Sequence, residues 1–349
     1  YKLMRSDVVQ KVTMKDVAKL AGVSTSTVSR VISDDQRISQ NTKEKVLEVM
    51  EKLNYYPNSA ARSLANKQTE IIGLVMPSCE EDIFINPFFQ EVLKGVSAIT
   101  SQNYFDILIA TNHELEDDLD VLKRIVQTQR VDGIILTRSK KDDEGIQYLR
   151  EHNIPFVLIG SCLEYDDIPA VDNDNKQAAY DLTSLLINKG RRKIAFISGE
   201  INSVVTLKRY KGYLSALQEH NIEFNQDYFI SDEFLEESGY KLMSDLLQLD
   251  DKPDAIVCAD DLICAGVLKR IKEAKKYSVP EDIMLTSFNN TILAKYSNPT
   301  ITSVDINSVK LGKKAAEKLI NSLNQNSTSN NNKEILDYKI IKRDSTLLK

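Results

Sequence analysis

Between Thr13 and Leu53 the apolar side chains fall three and four positions apart, the spacing of amphipathic helices, in three short runs. The first run, Val17, Ala18, Leu20 and Ala21, follows Thr13-Met14-Lys15-Asp16. That tetrad is a capping-box variant, in which the Thr13 hydroxyl and the Asp16 carboxylate can satisfy orphan amides. Gly22 tolerates a positive φ and lets the helix stop and turn. Ser24 caps a second helix that turns Val28, Val31 and Ile32 inward. Ser39 opens a third, with Val46, Leu47, Val49, Met50 and Leu53 on its inner face. Two short helices across a glycine-bearing turn, closed by a third, predict a helix-turn-helix unit. In such a unit the second helix offers its first side chains to base edges in the DNA major groove. Here that face carries Ser24, Thr25, Ser26, Ser29 and Arg30. A three-helix miniature domain with a merely polar surface is the plainer alternative, and the Ser/Thr cluster favours the DNA reader.

Next comes Tyr55-Tyr56-Pro57-Asn58-Ser59-Ala60-Ala61-Arg62-Ser63-Leu64-Ala65-Asn66. Pro57 biases Tyr56 away from helix, Asn58 is a good N-cap, and Ala61, Leu64 and Ala65 share one face. About eight residues is below the ~12 to 15 at which an isolated helix becomes marginal in water, so this segment orders only against a partner. A plain linker stands as an equal alternative.

From Thr69 the pattern changes. Short β-branched runs at Ile71–Met76, Phe105–Ala110, Gly133–Leu136, Phe156–Ile159, Lys193–Ser198, Ala255–Cys258 and Met284–Ser287 predict strands. Amphipathic stretches at Phe88–Thr100, Leu119–Gln129, Lys176–Lys189, Leu207–His220, Ser238–Leu247 and Ala265–Ala274 predict the helices between them. The rhythm is that of an α/β fold with parallel, doubly wound sheets. About 280 residues is more than one such sheet needs, so two lobes are expected.

Composition adds little to this: 42% hydrophobic and 28% charged residues are ordinary for a globular protein. No apolar run reaches the ~18 to 20 residues of a membrane span. The first eleven residues hold no signal-like apolar stretch, so a cytoplasmic location is expected. Charge is more telling. Residues 1–67 carry 12 Lys/Arg against 7 Asp/Glu, while the rest carries 33 against 44. A basic head on an acidic body suits a polyanion partner for the head alone, although a modest positive face is more often simply solvated.

Cys79, Cys162, Cys258 and Cys264 have no CxxC spacing, as expected of reduced, buried thiols. His113, His152 and His220 are isolated, with no metal-ligand spacing. Gly73 stands alone after the first strand, and no P-loop or nucleophile–histidine grouping occurs. Neither a cofactor, a metal nor a catalytic residue is therefore expected. Ligands of open α/β sheets sit beyond the carboxyl ends of strands, which selects Asn86–Phe89, Ser161, Arg209, Asp260 and Asn289.

The run Val12-Thr13-Met14-Lys15-Asp16-Val17-Ala18-Lys19-Leu20-Ala21-Gly22-Val23-Ser24, with Thr27-Val28-Ser29-Arg30-Val31, Leu53-Asn54-Tyr55-Tyr56-Pro57-Asn58 and Ala61-Arg62-Ser63-Leu64-Ala65, resembles the head and hinge of LacI/GalR repressors. The resemblance implies that Thr25 and Ser26 read bases, with Arg30 beside them on the DNA. It implies phosphate contacts for Thr13, Ser24, Thr27, Ser29, Tyr55 and Asn58, which fix register. It also implies paired hinge helices that bring Ala61 and Leu64 to the minor groove, where Leu64 wedges between base steps.

The body resembles that family's sugar-binding region and the periplasmic binding proteins. Asn86-Pro87-Phe88-Phe89 is similar to the segment that lays aromatic rings on a sugar, and Arg209-Tyr210-Lys211-Gly212 to the RxxG whose arginine clamps it. Ala259-Asp260-Asp261 stands in place of A-N-D, and Ser287-Phe288-Asn289-Asn290 in place of G-[FY]-D-[DN]. Asp260 and Asn289 thus exchange a carboxylate and an amide, which keeps formal charge and swaps donor for acceptor. Ser161 is the weakest of the expected ligand contacts.

The resemblance implies a head at 12–57, a hinge at 58–69, a first lobe at 70–172 plus 305–333 and a second at 173–304 plus 334–349. Crossings fall near Asp172–Asn175, Val304–Asn307 and Lys333–Leu336, so Lys310–Ser322 returns to the first lobe. Residues 321–332 form an Asn/Ser-rich loop, and the final strand is Tyr338–Ile341. No leucine heptad follows, so a two-fold dimer is expected. The expected function is repression of sugar genes, maltose or maltodextrin genes by subtype, through double-stranded pseudo-palindromic operator DNA and a small sugar effector. A global catabolite regulator answering to a phosphorylated phosphocarrier protein is the rival within the family. A sugar-binding transport protein and a hydrolase are rivals outside it, disfavoured by the basic head and by the missing catalytic grouping.

Overall fold

The computed structural model describes residues 12–32, 35–56, 68–76, 85–111, 117–325 and 333–348, and the chain divides into two units, Tyr1–Thr69 and Glu70–Lys349. Of the hinge, residues 57–67 lie outside the described residues, and with them Asn58, Ala61 and Leu64; so do Cys79 and His113.

In the first unit α1 (Met14–Ala21), α2 (Thr25–Ile32) and α3 (Gln40–Lys52) bury Val17, Ala18, Ala21, Val28, Val31 and Val46 against one another. The Asp16 carboxylate accepts the Thr13 amide at 2.9 Å and the Thr13 hydroxyl at 2.6 Å. Gly22 adopts φ 65°, ends α1 and gives the turn its left-handed step. Ser24 Oγ accepts the Thr27 amide at 3.1 Å and so caps α2, and Ser39 does the same for Thr42 in α3. Two expected core residues are corrected: Leu20 is 50% exposed and Leu47 52% exposed. Each follows or precedes a buried residue by one position, so it projects about 100° away from it around the helix.

The second unit holds two six-stranded sheets. The first has the order β11-β5-β4-β3-β1-β2, from β1 (Ile71–Val75), β2 (Asp106–Ala110), β3 (Gly133–Leu136), β4 (Phe156–Ile159), β5 (Ala170–Asn173) and β11 (Lys333–Leu336). Every pairing in it is parallel. The second has the order β12-β10-β9-β8-β6-β7, from β6 (Ile194–Ser198), β7 (Phe229–Ser231), β8 (Ala255–Cys258), β9 (Met284–Phe288), β10 (Thr302–Asp305) and β12 (Lys339–Ile341). Only β12 runs antiparallel, against β10.

Helices α4 (Pro87–Gln102) and α12 (Ser308–Gln325) pack together and cover the first sheet with Val92, Val96, Leu311, Ala315 and Leu319; α12 carries residues 321–325 of the expected Asn/Ser-rich loop as helix. A separate cluster on that sheet takes Val121, Leu122 and Ile125 from α5 (Asp118–Gln127) and Ile146 and Leu149 from α6 (Glu144–Glu151). The second sheet is flanked by two helix pairs: α7 (Asn175–Asn188) with α8 (Val204–Glu219), and α9 (Glu236–Leu246) with α10 (Asp261–Ala274). A short α11 (Ile292–Tyr296) follows β9.

The lobe boundary placed at 333/334 is corrected. Lys333–Leu336 pairs with Ala170–Asn173, so these residues belong to the first sheet and the third crossing follows Leu336. Strands β5, β7, β10 and β11 escaped the sequence pattern because they are polar or only three residues long: Ala-Val-Asp-Asn, Phe-Ile-Ser, Thr-Ser-Val-Asp and Lys-Glu-Ile-Leu. In β5 and β10 Asp172, Asn173, Thr302 and Ser303 are buried, where hydrogen bonds rather than apolar contacts hold them.

Candidate functional site

The carboxyl ends of the two sheets converge on a cavity of about 260 Å³. All seven residues expected to touch a ligand line it: Asn86, Phe88, Phe89, Ser161, Arg209, Asp260 and Asn289.

Two of them are helix caps from opposite lobes that meet. Asn86 caps α4 through its Oδ1, which accepts the Phe88 amide at 3.1 Å, and its Nδ2 donates to Asp260 Oδ2 at 2.8 Å. Asp260 caps α10 through Oδ1, which accepts the Ile263 amide at 2.8 Å. Asp260 is 2% exposed. Burial pushes its carboxyl up to about 6; the donors at Ile263 and Asn86 and the cation at Arg209 oppose this, and Asp261 reinforces it.

Arg209 projects from α8 toward the same point. Its Nε donates to Asn175 Oδ1 at 2.9 Å, Nη1 donates to the Ala259 carbonyl, and the guanidinium lies 4.0 Å from the centre of the Phe288 ring. Burial pulls its pKa down to about 10, which leaves it cationic at neutral pH. The glycine three positions on has a packing reason. A Cβ on Gly212 would stand 2.0 Å from the Lys176 carbonyl oxygen, so only glycine lets α8 lie close enough to α7 for Arg209 to reach Asn175.

Phe88 and Phe89 are half-buried and meet edge to face at 5.1 Å, presenting apolar ring surface to the cavity. Asn289 is buried at φ 94°, and its amide donates to the Val304 carbonyl at 2.9 Å. Ser161 is present but committed: its hydroxyl donates to Asp172, and its carbonyl accepts the Ser139 hydroxyl at 2.5 Å.

Sequence reasoning missed Arg138, Asp172, Asn175, Glu200 and Lys208, which also line the cavity. Asp172 accepts the Asn173 amide at 2.8 Å and the Asn175 side-chain amide at 2.9 Å, and Lys208 Nζ lies 3.6 Å away. Arg138 follows β3 and pairs with Asp118 at 2.9 Å and, across the cleft, with Glu200 at 3.4 Å. The strand-end rule applied to β3 would have found Arg138; β5, unseen as a strand, hid Asp172. Backbone bonds also join the lobes, from Val204 N to Ser139 O at 3.1 Å and from Lys141 N to Asn202 O at 2.8 Å. A cleft with carboxylate, amide and guanidinium groups beside aromatic rings suits a neutral polyhydroxyl molecule. Among the described residues no group of three or more His, Cys, Asp or Glu is placed to hold a metal, and no helix is long and apolar enough to cross a membrane. Cys162, Cys258 and Cys264 are free thiols, all buried.

The raised Asp260 pKa sets a pH dependence. The folded state binds this proton more tightly than the unfolded chain, so the group's contribution is fully present below about 4 and is lost as pH rises through about 6. The loss amounts to roughly 3 kcal/mol. Urea unfolding of the wild type and of Asp260→Asn between pH 4.5 and 7.5 should show stability falling with pH more steeply in the wild type; parallel curves would refute the assignment.

In the head, Thr25, Ser26, Ser29 and Arg30 are exposed on α2, and Thr13 is exposed at the start of α1. Ser24 Oγ lies 2.7 Å from Ser26 Oγ and 2.9 Å from Thr27 Oγ1, and Tyr55 is half-buried against the core.

Residues 13–58 match the description "Bacterial regulatory proteins, lacI family", and residues 183–346 match "Periplasmic binding protein-like domain". The chain is 40% identical, over 95% of its length and 97% of theirs, to the HTH-type transcriptional regulator MalR of Streptococcus pneumoniae. It is 37% identical, over 96% and 98%, to MalR of Staphylococcus xylosus. Among solved structures it is similar to the transcriptional regulator CelR–cellobiose complex, with TM-score 0.73, 29% identity and coverage of 96% of this chain and 99% of that one.

Proposed function

Because the chain belongs to the lacI family of bacterial regulatory proteins, we propose that it represses sugar-utilisation genes, those for maltose or maltodextrin, by binding operator DNA as a homodimer. The observation that carries this is a 40% likeness to the transcriptional regulator MalR running through head and body alike, over 95% of the chain.

In the head, Thr25 and Ser26 read bases in the major groove with Arg30 beside them. Thr13, Ser24, Thr27, Ser29 and Tyr55 hold phosphates. Asn58, Ala61 and Leu64 act in the hinge, where Leu64 wedges into the minor groove. Exposure of α2 at Thr25, Ser26, Ser29 and Arg30 supports the first part. In the body a sugar occupies the cavity, its apolar faces on Phe88 and Phe89 and its hydroxyls toward Arg209, Asp260 and Asn289. Glu200, Asn202 and Val204 of the second lobe already meet the first, so an occupant acts by shifting the balance between lobe arrangements. A hundredfold preference for one arrangement supplies about 2.7 kcal/mol, enough to order a segment as short as the hinge.

The test is a gel shift of the whole protein on DNA upstream of maltose-utilisation genes, repeated across a sugar panel. A specific, competitor-resistant band that a maltose-type sugar alters by tenfold or more is the expected result. A band indifferent to every sugar but altered by a phosphorylated phosphocarrier protein would transfer the protein to the catabolite-regulator class. Absence of any band would end the DNA-binding proposal.

A further inference from the structure

A second cavity, of about 420 Å³, lies at the first crossing between the lobes, bordered by Asn173, Asp174 and Asn175. Lysines dominate its lining: Lys176 on α7, Lys208 and Lys211 on α8, and Lys333 on β11. Against them stands one lining carboxylate, Asp174, and that is occupied in capping α7, where it accepts the Gln177 amide at 2.9 Å. The neighbouring Asp172, 3.6 Å from Lys208, already accepts from Ser161, Asn173 and Asn175. The amino end of α7 adds its own partial positive charge. Two exposed apolar side chains, Leu163 and Ile335, complete the wall.

We propose that this cavity binds a small organic phosphate monoester, its phosphate among the ammonium groups of Lys208, Lys211 and Lys333 and its carbon body against Leu163 and Ile335. Ammonium groups from separate elements raise one another's energy unless an anion joins them, and a phosphate dianion offers more charge and more acceptors than a carboxylate. Burial, with Lys333 alongside and Asp172 opposing, holds the Lys208 pKa below that of a free lysine. The two apolar residues favour an ester over inorganic phosphate, which has no carbon surface to cover them. Lys333 lies on the first sheet and Lys208 and Lys211 on a helix of the second lobe, so an occupant ties the lobes together at the crossing. Lys208 and Asn175 line both cavities, which gives the two sites a shared wall. The proposal does not depend on what fills the first cavity.

Calorimetric titration of the whole protein with phenyl phosphate, inorganic phosphate and phenol tests it. Phenyl phosphate should bind one per chain, more tightly than inorganic phosphate, with phenol silent. The double variant Lys211→Gln, Lys333→Gln changes only exposed side chains and should unfold at the wild-type temperature. In it the affinity for phenyl phosphate should fall about a hundredfold, roughly tenfold for each ammonium removed. Unchanged affinity in that variant, equal affinity for the two phosphates, or heat that vanishes in moderate chloride would each overturn the proposal.

Discussion

Exchanging Asp261 for alanine should lower the unfolding free energy of the second lobe by about 4 kcal/mol, seen as a drop in the urea midpoint with little change in slope. Asp261 is 2% exposed at the start of α10, and its carboxylate is the meeting point of three elements. It accepts the hydroxyls of Ser287 on β9 and of Ser303 on β10, the latter at 2.8 Å. It also accepts the Thr291 amide at 2.6 Å and hydroxyl at 2.9 Å, where α11 begins. Removing the carboxylate strands four donors at once in a place water does not reach, and each orphan costs about 1 to 3 kcal/mol before relaxation. Asp261→Asn keeps one accepting oxygen and should fall between alanine and wild type. A midpoint shift worth less than about 1 kcal/mol in the alanine variant would show that the cluster re-pairs internally.

The second large effect concerns ligand capture. Arg209→Met should fold, since methionine fills similar space over Phe288, yet bind the cavity's occupant at least about a hundredfold more weakly. The variant removes the only guanidinium among the seven expected ligand-contact residues and unties Asn175 from α8. A distinct second readout follows from charge. Arg209 is one of the groups that hold the Asp260 carboxyl down, so without it the midpoint of the Asp260 pH dependence should move above 6. Sugar titrations and pH-resolved unfolding of the same variant measure both. Unaltered affinity would remove Arg209 from the proposed site.

Much of this was readable before any coordinates, and the misses have physical causes. The head's caps at Thr13, Ser24 and Ser39 and its glycine turn are local chemistry, visible in a few residues each. The apolar buried strands of the parallel sheets announce themselves as β-branched runs, as at Gly133–Leu136 and Ala255–Cys258. Strands β5 and β10 do not, because their buried Asp172, Asn173, Thr302 and Ser303 are held by polar partners brought from far along the chain. The lobe boundary was misplaced for a related reason: β11, Lys-Glu-Ile-Leu, is half exposed and led by charges, and only its pairing with β5 reveals which sheet it joins. The seven cavity-lining residues were legible because strand ends are. Their bond across the cleft was not, since nothing in the chain places Asn86 opposite a residue 174 positions away.

That amide-to-carboxylate bridge lets two residues of opposite lobes satisfy each other directly, and so turns the chamber into a strict examiner. A guest that parts Asn86 from Asp260 must then satisfy both, which a correctly placed hydroxyl can do by accepting from one and donating to the other. An analogue lacking that oxygen would forfeit the bridge and leave both ends dry, a handicap that tightness elsewhere on the molecule would have to offset. Discrimination against deoxygenated look-alikes is thus written into two helix caps.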